Sequence, residues 1–361
     1  MTGKRDGWYA EEEMRAAVYR GPNTIRLEDL PVPEIGRGEL LLKVEACGVC
    51  GTDLKKIAHG DLAPPLIFGH EVGGRVDSVG SGVARWKEGD RVLFFHHIPC
   101  RSCSCCRDKN YAQCPQYKRV GTTAGFEPAG GGFSEFVKVM DWIAREGLIR
   151  IPDDVDAEEA SFVEPVNTCL KGIEKAGIIA GRSVLILGAG PVGLILLQLA
   201  KLKGAQTAIC DLIPERLDVA KNLGANETFL AKQGTVPIRG QSPFDVALVA
   251  TPAPQAIQTA LEKVRPAGRV VLFAQTRVGE TISIDAGQIG KLEKELIGSY
   301  SASIDLQEEA ARLVFTRAIQ VKPLITHRFS LNRIEEAISV AMNPSAKSLK
   351  VIVKPGLNGS P

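Results

Sequence analysis

Net charge is what this sequence has least of. In 361 residues, 44 lysines and arginines face 42 aspartates and glutamates, leaving +2. That balance gives no case for a nucleic-acid partner or an acidic membrane surface. No apolar run is long enough to span a bilayer. The most apolar stretch, 184–200, is shorter than the ~20 residues a span needs, and three glycines and a proline punctuate it. Residues 1–14 are polar and acidic, so neither a signal peptide nor an anchor is expected there. Internal repeats and low-complexity tracts are missing. A disulfide framework is excluded as well. The nine cysteines are an odd number and five fall between Cys100 and Cys114, a pattern that suits reduced thiols, metal and a cytoplasmic setting. What remains is 44% hydrophobic and 24% charged, ordinary for a globular chain long enough for about two domains.

The first part reads as short strands at 16–19, 40–45, 72–79 and 91–95, separated by Gly, Pro and Asp clusters. Helical periodicity is absent until about Ala157, so an irregular all-β domain is expected. The rhythm changes near Glu164. Helices are expected at 166–176, 192–203, 214–223 and 255–264, with strands at 184–187, 206–210, 246–250 and 270–274 between them. Strands alternating with helices of about ten residues imply βαβ units and a parallel sheet. A helix at 306–318 and a closing strand at 350–353 complete the reading.

Three motifs carry chemistry. Cys100, Cys103, Cys106 and Cys114 are spaced C-x2-C-x2-C-x7-C, which suits four-sulfur tetrahedral zinc of structural use. Gly188-Ala189-Gly190-Pro191-Val192-Gly193 is G-x-G-x-x-G between an expected strand and helix. Its glycines allow a tight turn, close approach to a pyrophosphate, and helix–strand packing, while the helix N-terminus offers N–H groups to the phosphates. Asp211, 18 residues on, ends the next strand and can accept bonds from the adenosine ribose; it would repel a 2′-phosphate, favouring NAD over NADP. Arg216 could contact the adenosine end and tolerate some NADP. The third motif pairs Cys50-Gly51-Thr52-Asp53 with Gly69-His70-Glu71, each in a loop beside a strand. By contrast Cys47 and Cys169 read as buried packing, and His59 and His327 have no ligand-like neighbour.

With Gly89-Asp90-Arg91-Val92 and Glu164-Pro165 added, six ordered motifs make the chain after Met14 resemble the zinc-dependent medium-chain dehydrogenases: alcohol, polyol and threonine dehydrogenases. The resemblance implies an α/β architecture. A GroES-like β catalytic domain with a structural zinc lobe would span 14–165, a Rossmann NAD-binding domain 166–303, and a return to the catalytic domain 304–361, after a disordered extension at 1–13. It implies two zinc ions per chain, NAD, a small alcohol or ketone substrate, and a homotetramer or homodimer. Cys50 and His70 are then catalytic zinc ligands, and Glu71 and Glu164 share or exchange the third place; Cys169 is misplaced for the alternative cysteine ligand. Thr52 matches the family's hydroxyl that takes the substrate proton. Many members carry histidine five residues after the ligand cysteine, where this chain has Lys55: an unusual base, or a solvated lysine. His97 matches a histidine of the threonine branch close to the active site, or simply ends a strand.

The implied reaction is hydride transfer between NAD and a small secondary alcohol, polyol or amino alcohol. Segment 125–133 is expected to border the cleft, with Phe126 and Glu127 facing substrate. Residues 298–301 lack the arginine that the polyol branch often carries, which weakens sorbitol-like recognition. Two other readings stand: a zinc-free NADPH quinone or enone reductase relative, which leaves the cysteines unexplained, and a zinc-ribbon protein using Arg101, Arg107, Lys109, Lys118 and Arg119 to bind nucleic acid.

Overall fold

Strand Leu40–Gly48 is buried along most of its length, and a sheet is assembled around it. In the computed structural model, which describes residues 13–60, 62–117, 130–232, 243–274, 276 and 279–357, it lies within a seven-stranded sheet. Glu71–Val79 runs antiparallel along it, followed outward by Arg91–Phe94 and Leu148–Arg150. On the other side its end pairs with Lys350–Lys354, whose parallel neighbour is Ile325–Ser330. The last strand of the chain thus completes the sheet begun by Leu40–Gly48, while Glu13–Gly21, Thr24–Pro31 and Leu66–Ile67 form a separate three-stranded sheet. Val44, Val72, Val76, Val92, Phe133 and Val353 fill its core. Each such side chain removed from water contributes about 1.5–3 kcal/mol.

The second sheet is wholly parallel. Its six strands lie in the order Glu227–Leu230, Gln206–Asp211, Ser183–Leu187, Phe244–Val249, Val264–Leu272, Glu295–Gly298. Numbered along the chain that order is 3-2-1-4-5-6, the doubly wound dinucleotide-binding arrangement. Val184, Leu185, Ile186 and Leu248 are fully buried, as helices cover both faces. Pro191, Pro214 and Pro254 each open the helix after a strand, where a missing N–H costs nothing. Order reverses between Ser183–Leu187 and Phe244–Val249, and the crevice at the carboxyl ends of these strands is where such sheets hold ligands.

The strand and helix forecasts for the parallel sheet hold to within a few residues, except that 270–274 proves to be the end of the longer strand Val264–Leu272. Elements that escaped include strands Thr24–Pro31, Phe136–Val139, Leu148–Arg150 and Glu227–Leu230, and helices Gly51–His59 and Asp141–Glu146. Helix Gly51–His59 corrects the expectation of an all-β first part. At nine residues it is too short to show periodicity and is specified instead by its cap. Cys50 is the N-cap, its Sγ accepting the Thr52 N–H at 3.4 Å, while Asp53 accepts the Cys50 N–H at 3.3 Å. Phe126, Glu127, Lys118 and Arg119 lie outside the described residues.

Gly193 packs so closely on the turn that a Cβ there would stand 1.8 Å from the Gly188 carbonyl oxygen. Gly193→Ala is therefore expected to push helix Pro191–Leu202 off its strand and weaken dinucleotide binding at least about tenfold, or about 1.4 kcal/mol. Fluorescence titration with NADH measures this, and an unchanged affinity refutes it.

Candidate active site

A cleft of about 390 Å³ opens between the two sheets, and Cys50, His70 and Glu71 converge at its floor. Their ligand atoms all lie within 4.8 Å of one another. Cys50 sits in the short loop after strand Leu40–Gly48, as the sequence suggested, and is the N-cap of helix Gly51–His59. His70 donates its Nδ1–H to the Asp53 carboxylate at 3.0 Å, and Asp53 is fully buried. A carboxylate behind an imidazole fixes the ring and leaves Nε2 to face the cleft, the support a metal-binding histidine ordinarily has. Burial alone would lower the His70 pKa, yet the charges of Asp53 and Cys50 raise it well above the ordinary value. Burial likewise works against ionised Asp53, and the His70 charge reverses it, so its pKa is lowered. A floor that attracts positive charge this strongly fits a cation held by sulfur, nitrogen and oxygen donors.

Glu71 is itself held. Its carboxylate pairs with the ammonium of Lys350, from the last strand, and both side chains are almost fully buried. Burial opposes the charge on Lys350, but Glu71, Cys50 and Glu164 raise its pKa. Gly48 leaves the space: a Cβ there would lie 2.0 Å from Glu71 Oε2. Glu164, in the first turn of helix Val163–Ala176, lines the same cleft but stands outside the three-ligand cluster. Its Oε1 is 4.0 Å from Nδ1 of His97, which also lines the cleft and is buried.

Thr52 and Lys55 line the cleft above the floor. Lys55 is half-buried, and burial lowers its pKa against the opposing charges of Cys50 and Glu280. Gly190, Pro191, Val192 and Arg216 line the nucleotide side. Gly188 adopts φ +105°, which makes the turn possible. Asp211 is fixed at its strand end, its carboxylate accepting N–H bonds from Ala189 at 2.6 Å and Ile213 at 2.9 Å. Arg216 donates to the Ser348 carbonyl at 3.1 Å, bridging the two sheets across the crevice.

The four lobe cysteines form the second cluster. Sγ of Cys106 is 3.5 Å from that of Cys103 and 3.9 Å from that of Cys100. Tetrahedral zinc with Zn–S near 2.3 Å implies sulfur separations of about 3.8 Å. Bonds from the Ser102 hydroxyl and backbone and from Cys103 pull the Cys100 thiol down to about 5, while burial pushes Cys106 up to about 12. Cys105 is not part of the cluster. Cys47 and Cys169 are buried packing, with pKa values raised by burial.

Residues 36–153 match the alcohol dehydrogenase GroES-like domain and 191–316 the zinc-binding dehydrogenase domain. Sorbitol dehydrogenase of Bombyx mori is 32% identical over 95% of this chain and 99% of its own. Galactitol 1-phosphate 5-dehydrogenase of Escherichia coli (strain K12) is 32% identical over 90% and 95%. Among solved structures, a zinc-binding dehydrogenase from Sinorhizobium meliloti 1021 bound to NADP superposes with TM-score 0.86 at 30% identity, covering 95% and 100%. The chain belongs to the zinc-dependent medium-chain dehydrogenases. The expected GroES-like and Rossmann architecture and an alcohol dehydrogenase-type oxidoreductase are borne out. The zinc-ribbon and zinc-free readings fall away. Among the described residues, no helix of this dehydrogenase is long and apolar enough to cross a membrane.

Two supporting residues escaped the sequence reading. Asp53 was within a quoted motif, and the C-x-x-D capping pattern was its available signal. Lys350 had none, because its partner is 279 residues away by number and adjacent only through strand pairing. Gly48→Ala of this dehydrogenase is expected to separate Glu71 from Lys350 and destabilise it by about 3–5 kcal/mol, the scale of a broken buried pair. Urea denaturation of parent and variant measures the loss; coincident midpoints would refute it.

Proposed function

We propose that this dehydrogenase oxidises a secondary hydroxyl of a polyol or amino alcohol with NAD, using zinc held by Cys50, His70 and a carboxylate, Glu71 or Glu164. The convergence of Cys50, His70 and Glu71 at the head of a dinucleotide crevice carries the reading. Bound there, zinc supplies Lewis acidity that lowers the pKa of a hydroxyl. The chain's own residues do the rest. Asp53 orients His70, Lys350 neutralises Glu71, and the apolar walls from Val49, Phe162 and Phe273 exclude water. Thr52 would receive the substrate proton, and Lys55 would pass it outward. The polyol class is supported by the sorbitol and galactitol 1-phosphate relatives. The preference for NAD is supported by Asp211, whose anchored negative charge faces the position of a 2′-phosphate. The NADP-bound neighbour keeps NADP as the second reading.

Cys100, Cys103, Cys106 and Cys114 would hold the second, structural zinc. We also infer the division into 14–165, 166–303 and 304–361, a cytoplasmic setting, and a homodimer or homotetramer. The exposed Leu296 on edge strand Glu295–Gly298 supports an interface there.

Metal analysis is expected to find two zinc ions per chain, falling to one in Cys50→Ser with loss of NADH production across an alcohol panel; an active Cys50→Ser enzyme overturns the reading. Lys55 accepts a proton only when neutral, so its rate contribution rises with pH. Because burial lowers its pKa below 10.5, the parent's rate is expected to climb through a limb below that pH. Lys55→Ala is expected to lack this limb. Superimposable pH–rate profiles would remove Lys55 from the relay.

A further inference from the structure

A second cavity, of about 430 Å³, opens beside the catalytic cleft. Phe273, Ala274, Ser299 and Tyr300 line both, so the two share a wall. The charged groups of the second cavity are Lys171 and Lys175, one turn apart on one face of helix Val163–Ala176. No aspartate or glutamate is among the described residues that line it. Asn110 and Gln113, from the cysteine lobe, add two side-chain amides. Burial, and after it the charge of Lys175, lower the Lys171 pKa to about 8. Two ammonium groups thus repel each other in one cavity that has no counter-charge on its described wall.

A strand edge sets where these ammonium groups stand. Lys171 Nζ donates to the Tyr300 carbonyl at 2.9 Å and to the Ala302 carbonyl at 3.5 Å, and Lys175 Nζ donates to the Gly298 carbonyl at 2.9 Å. An ammonium has three N–H groups, so Lys171 keeps one and Lys175 two beyond those bonds. Gly298 and Tyr300 are two residues apart on extended chain, which puts their carbonyls, and the nitrogens bound to them, about 6–7 Å apart. One oxyanion, accepting charge-assisted N–H bonds of about 2.8 Å from either side, bridges such a gap. We propose that this cavity binds a small oxyanion, a phosphoryl or carboxylate group, between Lys171 and Lys175, with Asn110 and Gln113 donating from the lobe. The anion supplies the missing counter-charge. It stands against the wall of the catalytic cleft, either as a free anion or as the far end of a substrate held at Cys50 and His70.

Calorimetric titration of the zinc-loaded enzyme with inorganic phosphate tests this, with NADH at saturation so that the glycine-rich turn is already filled. One phosphate per chain is expected. Lys175→Gln removes one charge at an exposed position, and Asn110→Asp places a carboxylate on the wall while touching neither lysine. Each is expected to weaken phosphate binding at least about tenfold, the scale of one charge-assisted hydrogen bond. Lys175→Arg keeps the charge and is expected to retain binding. No saturable binding by the parent, or equal affinity in the parent, Lys175→Gln and Asn110→Asp enzymes, would overturn the site. KM values for sorbitol and sorbitol 6-phosphate, in the parent and Lys175→Gln, then identify the source of the anion. A rise of about tenfold confined to the phosphate ester assigns the cavity to the substrate's own phosphoryl group. Any other result assigns it to a free anion. This last comparison rests on the polyol reading above, whereas the titration uses no alcohol and decides the site even where that reading fails.

Discussion

The pairing of Lys350 with Glu71 constrains this fold more than any other contact. Asp53, His70, Glu71 and Lys350 are all almost completely buried at the floor of one cleft. An ionised group left unpaired in such a place costs several kcal/mol, far more than any one apolar contact returns. Each must therefore meet its partner. Asp53 meets His70 across a short span of chain, but Glu71 meets an amine that the chain delivers only at its last strand. The catalytic sheet consequently cannot be completed by the first third of the molecule. It waits for Lys350–Lys354, which pairs beside Leu40–Gly48 and so encloses the parallel sheet between its two contributions.

One helix then transmits that arrangement to the rest of the cleft. Val163–Ala176 presents Glu164, Asn167, Lys171 and Lys175 at spacings of three and four residues, hence on one face. Glu164 faces the floor. Asn167, Lys171 and Lys175 donate to the carbonyls of Ser303, Tyr300 and Gly298, and so clamp the segment leaving the last parallel strand. Another side of the helix carries Cys169, whose thiol sits 3.8 Å from the Val192 carbonyl in the glycine-rich turn. The floor of the cleft, segment 298–303 and the glycine-rich turn are thus registered to a single rigid element. Lys171 bears the strain of this arrangement: burial lowers its pKa to about 8. Its charged form is disfavoured in the folded protein, a penalty felt below that pH and relieved as pH rises towards 10.5.

The parallel sheet was legible because buried parallel strands are continuous apolar runs, and Pro and Gly punctuate their helices. The ligand cysteines were legible because metal geometry imposes close spacing along the chain. Both signals are local. Residues that act across the fold left no such trace. Lys350 reads as one more lysine in a strand, and Tyr117 as an aromatic near a cysteine. Ser301 reads as an ordinary serine, since only its backbone, left-handed at φ +59°, reveals its strain. Helix Gly51–His59 lies between these cases: its cap was written in Cys50 and Asp53, but the same letters also read as metal-site residues. One motif serving two purposes hid the structural use behind the chemical one.

The cysteine lobe follows the same logic. Its sulfurs already stand at the spacing of a tetrahedral ion, without long-range elements to hold them. A metal ion held by the four sulfurs would lock a loop of this kind in place. The lobe is tied to the body through aromatic hydroxyls: Tyr111 donates to Asp305 at 2.8 Å and Tyr117 to Ala302 at 2.8 Å. Both acceptors lie within four residues after the strained Ser301, and Ala302 is on the segment clamped by Val163–Ala176. The segment is held from the lobe side by tyrosines and from the helix side by an amide and amines, so neither side alone determines the left-handed turn. A serine is sustained where glycine would be free of strain because both clamps, from the lobe and from the buried helix, close at once.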